Sequence, residues 1–115
     1  MGGQEWVTTV DMAVTVCDAA GTITEMNERA AQGFAKQGGR ALVGTNVLDC
    51  HPEPSRSKLA AMMREARPNT YTVEKGGRRK LIHQAPWFRD GVFAGFVEIS
   101  IALPEALPHF VRDGG

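Results

Sequence analysis

The sequence predicts an α+β domain, one five-stranded antiparallel sheet with helices packed on one of its faces. Three observations carry that prediction. Two short β-branched runs open the chain, and a 2-residue hydrophobic alternation returns after Pro68. Between them the period of the apolar residues is that of a helix. Tight-turn glycines fall between the runs, at Gly21, at Gly76-Gly77 and at Asp90-Gly91. Two strands, then helices, then a three-stranded meander is the order of a single sheet covered on one side.

Residues 12–18, MAVTVCD, are apolar and β-branched and read as the first strand. Residues 22–26, TITEM, read as the second, joined to the first by a turn at Gly21. Asn27 stands where a helix N-cap belongs, with Glu28 in the first turn. The helix that follows places Ala30, Ala31 and Phe34 on one face and is expected to end at Gly38-Gly39. Pro52 and Pro54 keep residues 40–54 irregular, with a short helical turn at 45–50. Ser55 is the expected cap of a longer helix in which Leu59, Met62, Met63 and Ala66 share a face. Leu59, Met63 and Phe34 are accordingly expected in the core. Pro68 stops that helix, after Arg64 and Arg67 in its last turn. Residues 70–74, 79–88 and 92–103 read as three strands joined by tight turns, with Pro86 marking a bulge or a sheet edge. The last of them is the most apolar. The chain divides into an extension (1–11), a domain (12–103) and a tail or linker (104–115).

At 115 residues there is room for one domain, and a 43% hydrophobic share is enough for one small core. Thirteen basic and thirteen acidic residues cancel, which argues against nucleic acid as a partner. No apolar run is long enough to span a bilayer, and the N-terminus lacks the pattern of a signal peptide. The two cysteines, Cys17 and Cys50, sit in no CxxC or paired Cys/His spacing, so a reduced, cytoplasmic protein without a structural metal is expected. No nucleophile-elbow, zinc-protease or phosphate-loop pattern occurs, and Asp18, Asp49 and Glu98 are scattered carboxylates. The chain is not expected to be an enzyme.

The order of elements, together with three local stretches, resembles a PAS domain over residues 12 to 103. V16-C17-D18 through G21-T22-I23-T24-E25-M26-N27 is similar to the family's opening strand, turn and helix cap. L42-V43-G44-T45-N46-V47-L48 resembles its Leu-hydrophobic-Gly connector, and G91-V92-F93-A94-G95-F96-V97-E98-I99-S100 its last hairpin. The usual Asp-Ile-Thr ending is replaced by Ile101-Ala102-Leu103. N46-x-x-D49-C50-H51-P52 resembles a subgroup with an Asn-Cys-His-Pro stretch, often found beside signalling domains.

The resemblance implies a sensory, signal-transducing module. It would bind a small molecule or a partner domain, pair as a homodimer and act on an effector domain by shifting populations. Two alternatives stay open: a ligand-free PAS interaction module that only dimerises, and a small α+β enzyme. The candidate ligand-binding residues are His51, Cys50, His83, Met63 and Phe34. His51 is a polar cavity contact or an axial haem ligand, against a residue that merely packs at the Pro52 bend. Cys50 lies three residues beyond Val47, off the Asn-Cys pattern of flavin photosensors, and reads as a small buried thiol. His83 shares a strand face with Leu81, Ala85 and Trp87 and meets a ligand if that face is inward. The cofactor is unassigned, with haem and flavin as minor alternatives. Trp6, Val7 and Val10 are expected to serve self-association.

Overall fold

A computed structural model describes residues 5–114, with the side chain of Cys50 outside that description. A short helix α1 (Glu5–Thr9) precedes the hairpin β1 (Ala13–Asp18) and β2 (Ile23–Met26). Helix α2 (Glu28–Gly33) follows, then three 3₁₀ turns at Ala35–Gln37, Gly39–Leu42 and Val47–Cys50. Helix α3 (Ser55–Glu65) leads into the meander β3 (Asn69–Lys75), β4 (Arg78–Arg89) and β5 (Val92–Ala102). The five strands form one sheet in the order β2-β1-β5-β4-β3, antiparallel at every junction. The most apolar strand, β5, is therefore the central one, as a strand flanked on both sides should be.

Asn27 caps α2 as its position in the sequence predicts, its side chain accepting from the Ala30 N–H. The helix is shorter than expected. Gly33 ends it, and tight 3₁₀ turns carry the chain to Leu42. The cap of α3 also differs from expectation. Ser55 is already inside the helix, and the N-cap position, Pro54, offers no side-chain acceptor. The Glu53 carboxylate takes that role, accepting from the Ser57 N–H at 2.8 Å and from the Ser57 hydroxyl at 2.6 Å. Those two hydrogen bonds hold its pKa below the usual carboxylate value. Ala66, in the left-handed conformation, closes the helix.

Pro86 falls where β4 has outrun β3. The β3–β4 pairing stops at Gln84, so the missing proline N–H leaves no ladder partner unfilled. The register of β4 on β5 shifts just beyond it, between Trp87 and Phe88. The tail from Leu103 forms no further helix or strand among the described residues, and Leu107, Phe110 and Val111 are exposed.

The core lies between the sheet and the helices in two small clusters. Cys17, Met62 and Phe96 make one; Ile23, Met26 and Ala30 make the other, and Val47 packs on both. Met62 is the fully buried member of the predicted α3 face. Leu59, Met63 and Phe34 are only half-buried, because they line a cavity instead of closing it. Met62→Ala is therefore expected to cost about 2–5 kcal/mol of stability, and Met63→Ala clearly less. Equal losses in urea titrations of the two variants would mean that the two residues do not divide the face in this way.

Candidate functional site

The connector between α2 and α3 builds one wall of the site. It runs along the free edge of β2: the Ile23 N–H donates to the Thr45 carbonyl, the Gly44 N–H to the Ile23 carbonyl, and the Val47 N–H to the Gly21 carbonyl. Asn46 tightens the corner, its Nδ2 donating to the Ala20 carbonyl and its Oδ1 accepting from the Leu48 N–H. The chain then bends at His51-Pro52. That bend holds Val47 and His51 over the inner face of the sheet.

The space so enclosed is a cavity of about 170 Å³. Its body is apolar, with Ile23, Met26, Phe34, Leu42, Met63 and Phe96 among the walls. Its polar groups come from Thr15, Gln37, His51, Gln84 and Glu98. Only three of the lining side chains, His51, Leu59 and Gln84, also line an open cleft that Lys58 and Tyr71 border. Those three are the partition between the cavity and the surface.

His51 is half-buried, and its Nδ1 lies 2.7 Å from the Val47 carbonyl. A carbonyl only accepts, so Nδ1 carries the hydrogen and the neutral ring keeps a lone pair on Nε2. Across the sheet an amide relay is fixed in direction. The Asn69 amide donates to Gln84 Oε1 at 3.3 Å, and Gln84 Nε2 donates to Glu98 Oε1 at 2.8 Å. Burial, and next the negative charge of Glu98, push the Tyr71 hydroxyl pKa up. Burial likewise raises the pKa of Cys17, against a hydrogen bond from the Phe96 backbone, so this free thiol is an unreactive part of the wall.

Of the sequence candidates, His51, Met63 and Phe34 meet in this cavity. Cys50 contributes a backbone position at the end of its 3₁₀ turn, and its side chain lies outside the described residues. His83 stands elsewhere. It shares a pairing row with Ile99, on the opposite face from Gln84 and Glu98, and its Nδ1 lies 2.7 Å from the Thr70 hydroxyl. The condition for a ligand role at His83, an inward face, is not met. Sequence reasoning passed over Gln84 and Glu98, which the register of β4 on β5 sets side by side. The other scattered carboxylates have local partners. Asp18 accepts from the Ala20 and Thr22 N–H groups in the hairpin turn, and Asp49 lies 3.8 Å from Arg56.

No group of three or more metal-ligating side chains occurs among the described residues. The cavity is also smaller than the ~300–1,000 Å³ usual for drug-sized ligands. No helix among the described residues is long and apolar enough to cross a membrane.

Residues 7–101 match the family model of the PAS fold, and the chain belongs to the PAS family. No curated protein matches it significantly. Among solved structures it is similar to the PAS domain of BvgS from Bordetella pertussis, with a TM-score of 0.66 and 16% identity, covering 89% of this chain and 84% of that one. It is similar also to the Aer2 receptor of Vibrio cholerae, described as a dual PAS-heme oxygen sensor, with a TM-score of 0.63 and 18% identity, covering 81% and 95%. The PAS domain of the histidine kinase ThkA matches with a TM-score of 0.60 and 21% identity, covering 78% and 97%. At these identities the likeness is one of fold.

Proposed function

We propose that this chain is a sensory PAS module whose cavity takes up a small molecule and whose sheet face passes the change to a second copy and an effector domain. The observation that carries this reading is the apolar cavity with a polar end, walled by His51 and the Gln84–Glu98 pair. A ligand that binds one packing of the α2–α3 connector better than another shifts the population between them. The functional unit is taken as residues 12–103, with 104–115 as the link onward. No catalytic step is needed, and the setting is cytoplasmic. Histidine kinases and receptors among the structural neighbours supply the precedent for an effector.

Pairing would use the outer face of the sheet. Val16, Val97, Ile99, Leu81 and Ile101 lie there in adjacent pairing rows, and Ile101 is 39% exposed. A charge on this face separates the copies without touching the cavity. Ile101→Glu is expected to shift the protein toward monomer in sedimentation, with the thermal transition little changed. An unaltered dimer would move the interface elsewhere, and a wild-type monomer would remove it.

Native mass spectrometry and an absorption spectrum from 300 to 700 nm test the cavity. The expected result is a colourless protein that carries, or takes up, a small adduct. A Soret or flavin band would overturn the size argument. A protein that admits no small molecule would leave the interaction module, a PAS fold acting by dimerisation alone, as the better reading.

A further inference from the structure

The cavity has a charge preference. Glu98 is its one carboxylate; the other ionisable lining residues are His51 and the Cys17 thiol, which burial favours in its neutral form, and no Lys or Arg lines it. Glu98 is half-buried and enters none of the salt bridges among the described residues. Its Oε1 accepts from Gln84, and the relay from Asn69 locks Gln84 so that its amide donor, not its carbonyl, meets the carboxylate. Among the described residues no hydrogen-bond donor is assigned to Oε2. His51, its Nδ1 committed to the Val47 carbonyl, offers in its neutral form a lone pair at Nε2. Thr15 sits beside Glu98 in the same pairing row, with a hydroxyl that can accept as well as donate. Besides the amide of Gln37, which can donate or accept, the polar end thus holds acceptors and a negative charge in apolar surroundings, where a charge is costly unless paired.

We infer that the ligand is a compact molecule with an apolar body and one hydrogen-donating, cationic end, an ammonium that Glu98 pairs with. The inference rests on the cavity being a ligand site. A carboxylate-bearing ligand is excluded, because it would bring a second negative charge beside Glu98. The size of the body follows from the volume. A dry engineered cavity of about 150 Å³ holds benzene, so about 170 Å³ fits one ring with a short polar arm. Lys58 borders only the outer cleft, beyond the His51–Leu59–Gln84 partition, and does not neutralise Glu98 inside.

Four one-ring probes of nearly equal shape test this: toluene, benzyl alcohol, benzylamine and benzoate, titrated by ligand-observed NMR. Benzylamine is expected to bind best and benzoate not at all. Glu98→Gln keeps the shape and should weaken benzylamine by roughly tenfold, the scale of a charge-assisted hydrogen bond, while leaving toluene unchanged. Thr15→Lys, which places a fixed cation beside an intact Glu98, should abolish the amine preference as well. Benzoate binding as tightly as benzylamine, or an amine preference that survives both variants, overturns the inference. If toluene binds and benzylamine gains nothing over it, the charge preference fails while the cavity reading stands. If no probe binds, toluene included, both fail.

Discussion

Asn27→Ala is expected to lower the unfolding free energy by roughly 3–5 kcal/mol, a large part of the ~5–15 kcal/mol of a typical domain. Asn27 is fully buried, yet all its hydrogen-bonding capacity is used. Its Oδ1 accepts from the Val14 N–H at 2.9 Å and the Ala30 N–H at 3.0 Å. Its Nδ2 donates to the Val7 carbonyl at 2.9 Å and the Met12 carbonyl at 2.8 Å. One side chain therefore joins α1, β1 and α2. Alanine removes a helix cap and leaves buried backbone groups unpaired, each costing about 1–3 kcal/mol. Asn27→Asp distinguishes this account from a simple packing loss. It keeps the shape but sets a second carboxylate oxygen against two carbonyls. Burial and those carbonyls raise the folded pKa of the new Asp above its unfolded value of about 3.9. The Asp variant should then be closest to wild type below that value and lose stability as pH rises through the folded pKa. Chemical denaturation of the wild type and both variants at pH 4 and pH 7 reads this directly. A pH-independent Asp variant would mean that the carboxylate reaches water.

The same contact changes what an N-terminal deletion reports. Trp6, Val7 and Val10 were expected to serve only self-association. The Val7 carbonyl is a partner of buried Asn27, and the Val7 side chain is itself buried. Removing residues 1–10 would lower stability whatever it did to pairing. A substitution on the outer sheet face is the cleaner probe of the dimer.

What the sequence made legible was local. The Asn27 cap, the turns at Gly21, Gly76-Gly77 and Asp90-Gly91, the α3 face and the helix stop before Pro68 are all set by a few neighbouring residues. The PAS resemblance, carried by ordered local stretches, named the sheet correctly. What was not legible depends on contacts far apart in the chain. The N-cap role of Asn27 can be read from Glu28 and Ala30; its grip on Val7, 20 residues away, cannot. His83 and Gln84 show the same limit at the site. The period of two puts them on opposite faces of β4, but Leu81 on one face and Ile82 on the other are both apolar. Periodicity could not say which face was inward. Glu98 looked like a stray carboxylate because its partners, Gln84 and Thr15, come from other strands.

Gly95→Ala should be as damaging as the loss of Asn27, for a purely steric reason. Gly95 sits in the first half of the central strand with φ of 148°, a conformation that side-chain-bearing residues rarely adopt. It pairs with Asp18 on β1, and a Cβ built there would overlap the Cys17 carbonyl oxygen and lie 2.8 Å from its carbon. The obstacle is backbone, held between two strands, and cannot swing aside. That carbonyl is also the acceptor of the Trp87 indole N–H at 3.1 Å, so displacing it breaks a contact that ties β4 to β1 across β5. Backbone strain of about 1–3 kcal/mol adds to the clash and the lost bond, and a total of at least ~3 kcal/mol is expected. Gly33→Ala is the matched control. Gly33 ends α2, its added Cβ meets nothing within 4 Å, and its φ is not in the left-handed range. That substitution should be neutral or stabilise by about 0.4–1 kcal/mol through the unfolded chain. Thermal unfolding of the two variants side by side gives the answer. A Gly95→Ala protein as stable as the Gly33→Ala one would mean that β1 and β5 are not packed this closely, and the β2-β1-β5-β4-β3 register would have to be redrawn at that point.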